Sequence, residues 1–560
     1  MMTGSQAIVK ILEQAGVEVV FGLCGDTTLP LYEALHDLKP SFRHVLTRDE
    51  RSAAYMADAY ARLSGRVGVC EGPSGGGVTY LMPGVAEANQ SSVPLVALTS
   101  DIELTQIGRG TLTELDQDAL YRSITTWTRT PTQAGELPWV LRRAFREAVS
   151  GRMGAVHVSL PLNVQNGQVE EKEVHIDPRY SRYPFTRTGP EAGPVKAAAR
   201  LLAESRRPVI VAGAGVIRSQ AWEEVEALAG LLGAPVATSI SGKGSLAETH
   251  PLSLGVIGSN GGLAYRHEFV HAADLVLYVG CHTGSVTTEK WSLPAEGSAK
   301  IIQLDVDPAR LGLNYRLAQG LAADAKLGLA ALVEEVSDLL GGRPAGKVDP
   351  AEIARKREEF LAGREEFSSD LRPIRPERFV AELSRVLPKE AVVITDPGTP
   401  TPYLAAYHRL PLAGRWFVAP RAHGALGYAL PAVVGGHLAR PEAKVVGLMG
   451  DGSFGISAGE LETIARLGAP VVLIVLSNAC YGWVKAGQEA CGGKYFGVDF
   501  SLTDHAAVAR AYGLASGRVE EPGELSGAIE QALASPGPYL LDVVVQPLHE
   551  AKAPVSKWVA

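Results

Sequence analysis

Apolar residues along the chain fall into short strand-length runs separated by stretches of helical period. In the first part these runs lie at residues 17–21, 67–70, 94–98 and 156–158. Such alternation predicts a parallel sheet covered by helices. A polar, Pro-bearing stretch from Val164 to about Pro190 reads as a linker. The alternation resumes at 208–213, 274–279 and 300–305 and fades near Leu340. Between Gly341 and Pro376 the charged segment 354–359 reads as a solvated connecting helix. A third round has runs at 391–394, 445–449, 471–476 and 540–545. The expected fold class is therefore α/β, three doubly wound parallel-sheet domains in series, at residues 1–165, 190–345 and 373–548, with a C-terminal tail at 549–560. A chain of 560 residues is too long for one core, which agrees with that division.

Composition narrows the function classes. The chain is 46% hydrophobic and 20% charged, with a formal net charge of -8. No basic field is available for tracking a phosphate backbone, so nucleic acid is not an expected partner. The five cysteines are odd in number, widely spaced and free of CxxC pairs, as in a reducing compartment. The first residues lack a basic stretch followed by an apolar one, and the longest apolar run, 471–476, is far too short to span a bilayer. The expectation is a cytoplasmic protein with no membrane partner.

The strongest local signal is Gly450-Asp451-Gly452-Ser453, at the end of an apolar strand and ahead of an amphipathic helix expected from about Ser457 to Leu467. Glycines flanking an acid let the backbone approach a bulky anion, and the following helix offers N-terminal amides to phosphate oxygens. A second buried strand delivers Asn478, Cys480, Tyr481 and Gly482 to the same end of the sheet, where parallel sheets bind ligands. Asp451, the Asn478 amide oxygen and a backbone carbonyl, assigned to Cys480, form a hard-oxygen set suited to Mg2+ shared with two phosphate oxygens. Taken alone, Gly-Asp-Gly is also a common tight turn.

Gly450-Asp451-Gly452 followed after 25 residues by Asn478 resembles the cofactor signature of thiamine diphosphate enzymes. The chain is similar to the acetolactate synthase and pyruvate decarboxylase superfamily over nearly its whole length, with pyrimidine-binding, middle and diphosphate-binding domains in that order. The resemblance implies thiamine diphosphate and Mg2+ as cofactors. The stretch from Arg48 to Arg62 resembles the family segment with the activating glutamate, which falls on Glu50. A carboxylic acid there favours the pyrimidine tautomer that takes a proton from the thiazolium carbon; the plain alternative is a helix N-terminal acid. The segment 422–431 looks like the loop that bends the cofactor, with the Gly424 carbonyl accepting from its amino group and Leu426 between the rings, against a core-packing reading of that leucine. Residues 72–77 resemble the first-domain glycine loop. The resemblance also implies a homodimer or homotetramer with active sites between subunits.

The chain departs from well-known members at several positions. Thr113 stands where acetolactate synthases carry a glutamine, and Gly487 where they carry a substrate-selecting tryptophan. The stretch 280–285 lacks the arginine and paired acids of their flavin-binding segment, so FAD is not expected, and Gly213-Ala214-Gly215 is too short a glycine pattern to restore it. Against the decarboxylases, the paired histidines are missing and Val484 replaces an acid. Asp26, after a strand-end glycine, is a candidate proton relay or a helix cap. His423 is a candidate relay or a hydrogen-bonded loop residue. The expected activity is decarboxylation of a 2-oxo acid and transfer of the remaining fragment to a carbonyl acceptor. The alternatives are a 2-oxo acid decarboxylase, a 2-hydroxy ketone lyase, and a non-enzymatic cofactor-binding regulator.

Overall fold

The computed structural model describes residues 1–551 and 553–558. The first sheet contains β1 (Val19–Gly22), β2 (Arg43–Leu46), β3 (Gly68–Gly72), β4 (Leu95–Asp101), β5 (Trp127–Arg129) and β6 (Ala155–Pro161). Its order is β2-β1-β3-β4-β6-β5, and its strand pairs are parallel. The middle sheet contains β7 (Pro208–Ala212), β8 (Val236–Thr238), β9 (Ser253–Val256), β10 (Leu275–Val279), β11 (Lys300–Asp305) and β12 (Gln319–Ala322). Its order, β9-β8-β7-β10-β11-β12, is the 3-2-1-4-5-6 arrangement of doubly wound nucleotide-binding folds. The third sheet contains β13 (Val392–Thr395), β14 (Phe417–Val418), β15 (Val445–Gly450), β16 (Val472–Ser477), β17 (Ala515–Val519) and β18 (Tyr539–Val544), in the order β14-β13-β15-β16-β18-β17.

The central strands are the ones their apolar runs foretold. All of β4, β6 and β16 is buried, because helices cover both faces. The edge strands β2, β5, β14 and β17 carry no such run, since each has at least one half-buried or exposed position in a short segment. β8 is interior but only three residues long. The charged segment expected as a connecting helix lies within a helix over Pro350–Leu361, of which only Ile353 is buried.

The first and third sheets share one strand order when each is counted from its own first strand, 2-1-3-4-6-5. Their topological switch points therefore lie at the ends of the first and third strands of each sheet. In the first domain these ends lead into Asp26 and the 72–77 glycine loop. In the third, β15 ends at Gly450 and leads directly into Asp451.

By contacts, the chain forms two compact units. The first comprises Met1–Thr186, Pro420–Gly447 and Ser453–Val471; the second comprises Arg187–Ala419, Leu448–Gly452 and Val472–Ala560. The first unit includes α1 (Leu29–Leu38), α2 (Glu50–Ser64), α3 (Gly76–Gln90) and α4 (Ala429–Ala439), and α2 packs against both α3 and α4. Asp49 caps α2 by accepting from the Arg51 N–H, and Gly65 ends it with a left-handed φ of 74°. Small residues where α2 meets α3 and α4 allow close helix approach. A Cβ on Gly84 would stand 2.4 Å from Ala54 Cβ, and one on Gly435 only 2.0 Å from the Met56 carbonyl oxygen.

Gly435→Ala should gain about 1 kcal/mol of helix propensity. The contact is with backbone, which cannot swing aside, and overpacking costs about 1–3 kcal/mol. The expected result is a lower thermal midpoint, read by differential scanning calorimetry; an unchanged or raised midpoint would show that α2 and α4 can separate freely.

Candidate functional site

The first unit presents Glu50. β2 leads into Thr47, whose N–H bonds the Gly22 carbonyl, and the Arg48 N–H donates to Glu460 Oε1 at 2.8 Å. Asp49 takes the capping role, which leaves Glu50 free of it, and Glu50 is 7% exposed. Burial holds its carboxyl above the usual range, with Asp49 and Glu71 adding to the effect and Arg51 opposing it. The glycine loop makes room for this acid: a Cβ on Gly77 would lie 3.0 Å from Glu50 Oε1, and one on Gly72 3.5 Å from Glu50 Cγ. Within that loop Ser74 Oγ meets Thr27 Oγ1 at 3.1 Å and Thr113 Oγ1 at 2.7 Å. Thr113 holds a φ of 68°, which is unusual for a β-branched residue.

Asp26 is exposed in the 3-10 turn Asp26–Thr28. The cap of α1 is Thr28, with no side-chain cap bond, so Asp26 does not perform the capping role that was its plain alternative.

The segment before α4 carries His423 and Gly424, both exposed, and Leu426, which is half-buried and outside the core. Gly424 and Gly427 have φ of 75° and 82°. A Cβ on Gly427 would meet Ile456 Cγ2 at 2.9 Å. The N–H groups of Ala422 and His423 donate to Glu87 Oε2 at 3.1 and 2.7 Å. Arg62 donates to Glu87 Oε1 at 2.9 Å and to Asp58 at 2.7 Å, and Tyr428 O–H donates to Asp58 at 2.5 Å. Glu87, Asp58 and Glu460 were missed by sequence reasoning. The available signal was an acid among small apolar neighbours, as at Val85-Ala86-Glu87-Ala88.

The second unit presents Asp451. The helix expected from about Ser457 to Leu467 is present as a 3-10 turn, Ala458–Glu460, and a helix, Leu461–Leu467, but another helix, α5 (Asp451–Ser457), precedes it and starts at the acid itself. Two glycines within seven residues mask its period. Asp451 is 5% exposed; its Oδ2 accepts the N–H groups of Asn478 and Ala479 at 2.7 and 2.6 Å, and its Oδ1 accepts the Gly452 N–H at 2.9 Å. Burial raises its carboxyl above the usual range while these three N–H groups oppose the rise. Ala479 takes a left-handed φ of 55° to complete the turn. Asn478 Oδ1 accepts from the Cys480 N–H at 3.3 Å, and the Cys480 carbonyl accepts the Gly482 N–H at 2.9 Å. Burial pushes the Cys480 thiol up to about 11, so its contribution to a hard metal would be the carbonyl. A Cβ on Gly452 would meet Tyr481 Cε1 at 2.7 Å, whereas one on Gly450 would meet nothing within 4 Å. Beneath Asn478, buried Ser477 Oγ meets His505 Nδ1 at 2.9 Å and Asp542 Oδ1 at 2.5 Å, and Arg518 reaches Asp542 Oδ2 at 2.6 Å. Ser453, next after Gly452, is buried.

No group of three or more His, Cys, Asp or Glu side chains suited to a metal exists among the described residues. The donors near Asp451 are one carboxylate, one amide oxygen and one carbonyl, and a hard cation takes about six oxygens. The set fits Mg2+ that shares its remaining positions with diphosphate and water, and the open side of Gly450 leaves backbone space for such an anion. Nearby, α6 (Gly482–Ala490) exposes Val484, and a Cβ on Gly487 would also meet nothing within 4 Å. The middle-domain glycines are used in packing: a Cβ on Gly213 would lie 2.2 Å from the Gly280 carbonyl oxygen, and one on Gly215 2.6 Å from Gly280 Cα. No described helix is long and apolar enough to cross a membrane.

Three family profiles match the chain. They are described as thiamine pyrophosphate enzyme, N-terminal TPP binding domain (residues 2–120), central domain (195–332) and C-terminal TPP binding domain (396–543). Among curated proteins, the chain is 35% identical to a probable acetolactate synthase large subunit of Methanocaldococcus jannaschii, covering 98% of this chain and 92% of that protein. A probable acetolactate synthase large subunit of Methanococcus aeolicus is 34% identical, with 98% and 92% covered. An acetolactate synthase of Mycobacterium bovis is 32% identical, with 97% and 88% covered.

Proposed function

This chain belongs to the thiamine pyrophosphate enzymes, and from that premise we propose that it is an acetolactate synthase-like carboligase, which decarboxylates a 2-oxo acid and transfers the remaining fragment to a carbonyl acceptor. The observation that carries the reading is the end-to-end similarity to acetolactate synthase large subunits, 35% over 98% of the chain. Thiamine diphosphate, when bound, supplies the electron sink for chemistry next to a carbonyl.

The roles of the chain's own residues follow from their surroundings. Glu50, buried with a raised pKa, holds a proton at neutral pH more readily than an exposed acid and can donate a hydrogen bond to a ring nitrogen. Asp451, Asn478 and the Cys480 carbonyl hold Mg2+, with Gly450, Gly452, Ser453, Tyr481 and Gly482 around the diphosphate. Gly424 and Leu426 orient the pyrimidine half. Asp26 and His423, both exposed polar groups, are the candidate proton carriers toward substrate. The reading includes no flavin, since the stretch 280–285 lacks the arginine and paired acids of the flavin-binding segment. It takes the protein as a cytoplasmic homodimer or homotetramer, Glu50 of one copy serving the diphosphate half-site of another.

The test is pyruvate turnover by metal-stripped protein restored with thiamine diphosphate and magnesium, reading carbon dioxide, acetaldehyde and acetolactate together. Acetolactate formed only with both additions is the expected result. Acetaldehyde alone, with or without an added acceptor aldehyde, would move the assignment to a decarboxylase. Thr113 and Gly487 support a donor or acceptor preference of this chain's own, because a short hydroxyl and an open helix face replace larger side chains of known carboligases.

A further inference from the structure

Glu87 is a carboxylate in the last turn of α3, only 1% exposed. Its immediate chain neighbours are small and apolar, and an ion in such a place is costly unless fully partnered. It is fully partnered, and the division of its partners is informative. One oxygen, Oε1, takes Arg62 at 2.9 Å and Ser91 Oγ at 2.7 Å, which supply charge balance. The other, Oε2, is given wholly to two successive main-chain N–H groups, Ala422 at 3.1 Å and His423 at 2.7 Å. Arg62 is itself fixed by Asp58, which also holds Tyr428 just ahead of α4. Both ends of the segment 422–428 are thus pinned to one buried acid–guanidinium–acid network. Two successive N–H groups on one oxygen set the peptide planes at 422 and 423, and the chain then turns left-handed at Gly424, with φ of 75°.

We infer that Glu87 is a positioning residue for thiamine diphosphate: it fixes the segment that carries the Gly424 carbonyl and the Leu426 side chain in the orientation the cofactor meets. The inference rests on the cofactor reading given above. Glu87 touches no cofactor atom in this scheme and acts through the backbone alone. Glutamine at this position keeps the shape but turns one oxygen into an NH2 group, so either the two N–H groups or the Arg62 side loses its acceptor.

The experiment titrates the full-length protein with thiamine diphosphate at saturating magnesium, following intrinsic fluorescence, in wild type, Glu87→Gln and Glu87→Asp. Glu87→Gln is expected to raise Kd about tenfold or more, with Glu87→Asp, one methylene short, in between. An unchanged Kd in Glu87→Gln together with a lowered thermal midpoint overturns the inference and leaves Glu87 a stabilising residue only. Hydrogen exchange on the wild type decides the matter even if neither variant folds: the 422–423 amides are expected to be protected, and exchange at free-loop rates overturns the inference. Wild-type protein that fails to bind thiamine diphosphate would sink the functional reading itself, whereas normal wild-type binding with an unaffected variant sinks only the role of Glu87.

Discussion

Glu50→Gln should lower turnover of the 2-oxo acid by about 10²–10⁴-fold, the range supplied by a positioned acid or base. The protein should still fold, because the change replaces a buried acid by a neutral group of the same shape. The pH dependence separates this role from a structural one. The folded-state pKa of Glu50 is raised by burial, with Asp49 and Glu71 adding to the rise. An acid raised in this way favours the folded state below its unfolded value, near 4.3. That contribution disappears as the pH climbs through the folded value. Wild type and Glu50→Gln should therefore have similar urea midpoints in acid, with the variant the more stable of the two at neutral and alkaline pH. A variant that keeps wild-type turnover would remove Glu50 from the chemistry. A stability difference that grows toward acid would show that the carboxylate is stabilised by its surroundings.

Asp451→Asn carries the second large effect. In wild type, adding thiamine diphosphate with magnesium at about 100 times Kd should stabilise the fold by about 2.7 kcal/mol. In the variant the same addition is expected to give only about 0.4–1.4 kcal/mol, because affinity should fall by about 10–100-fold, the loss typical when even a metal ligand's supporting contacts are removed. The substitution also strikes the turn. Asp451 accepts three backbone N–H groups, and an amide can serve only one side of them. The unpaired donor costs about 1–3 kcal/mol in the absence of any ligand. Calorimetry with and without the two additions reads both effects. Equal stabilisation of variant and wild type would dismiss Asp451 as the metal ligand.

Much of this architecture was legible in the sequence because central strands of a doubly covered sheet are continuous apolar runs, as in β16. The motifs were legible for a related reason: Asp451 and Asn478 sit just past such runs, so chain distance stands in for spatial distance. Edge strands such as β2 escaped because only Val45 of its four residues is buried, so no apolar run marks it. The supporting residues escaped because their partners are remote in the chain. Glu87 and His423 are 336 positions apart, and Arg48 and Glu460 are 412 apart. No local period encodes such pairs. The short helix α5 escaped because Gly452 and Gly455 interrupt its pattern, whereas the helical stretch that follows it ends at Leu467 as expected.

The strand order common to the first and third sheets makes their loops comparable place by place. The two stretches follow the same wiring diagram, so corresponding loops leave corresponding strand ends. The loop after the third strand is acidic in one copy, at Asp451, and glycine-rich and uncharged in the other, where it clears space for Glu50. One wiring diagram thus carries two different duties, set by the residues of the loop and not by the order of the strands.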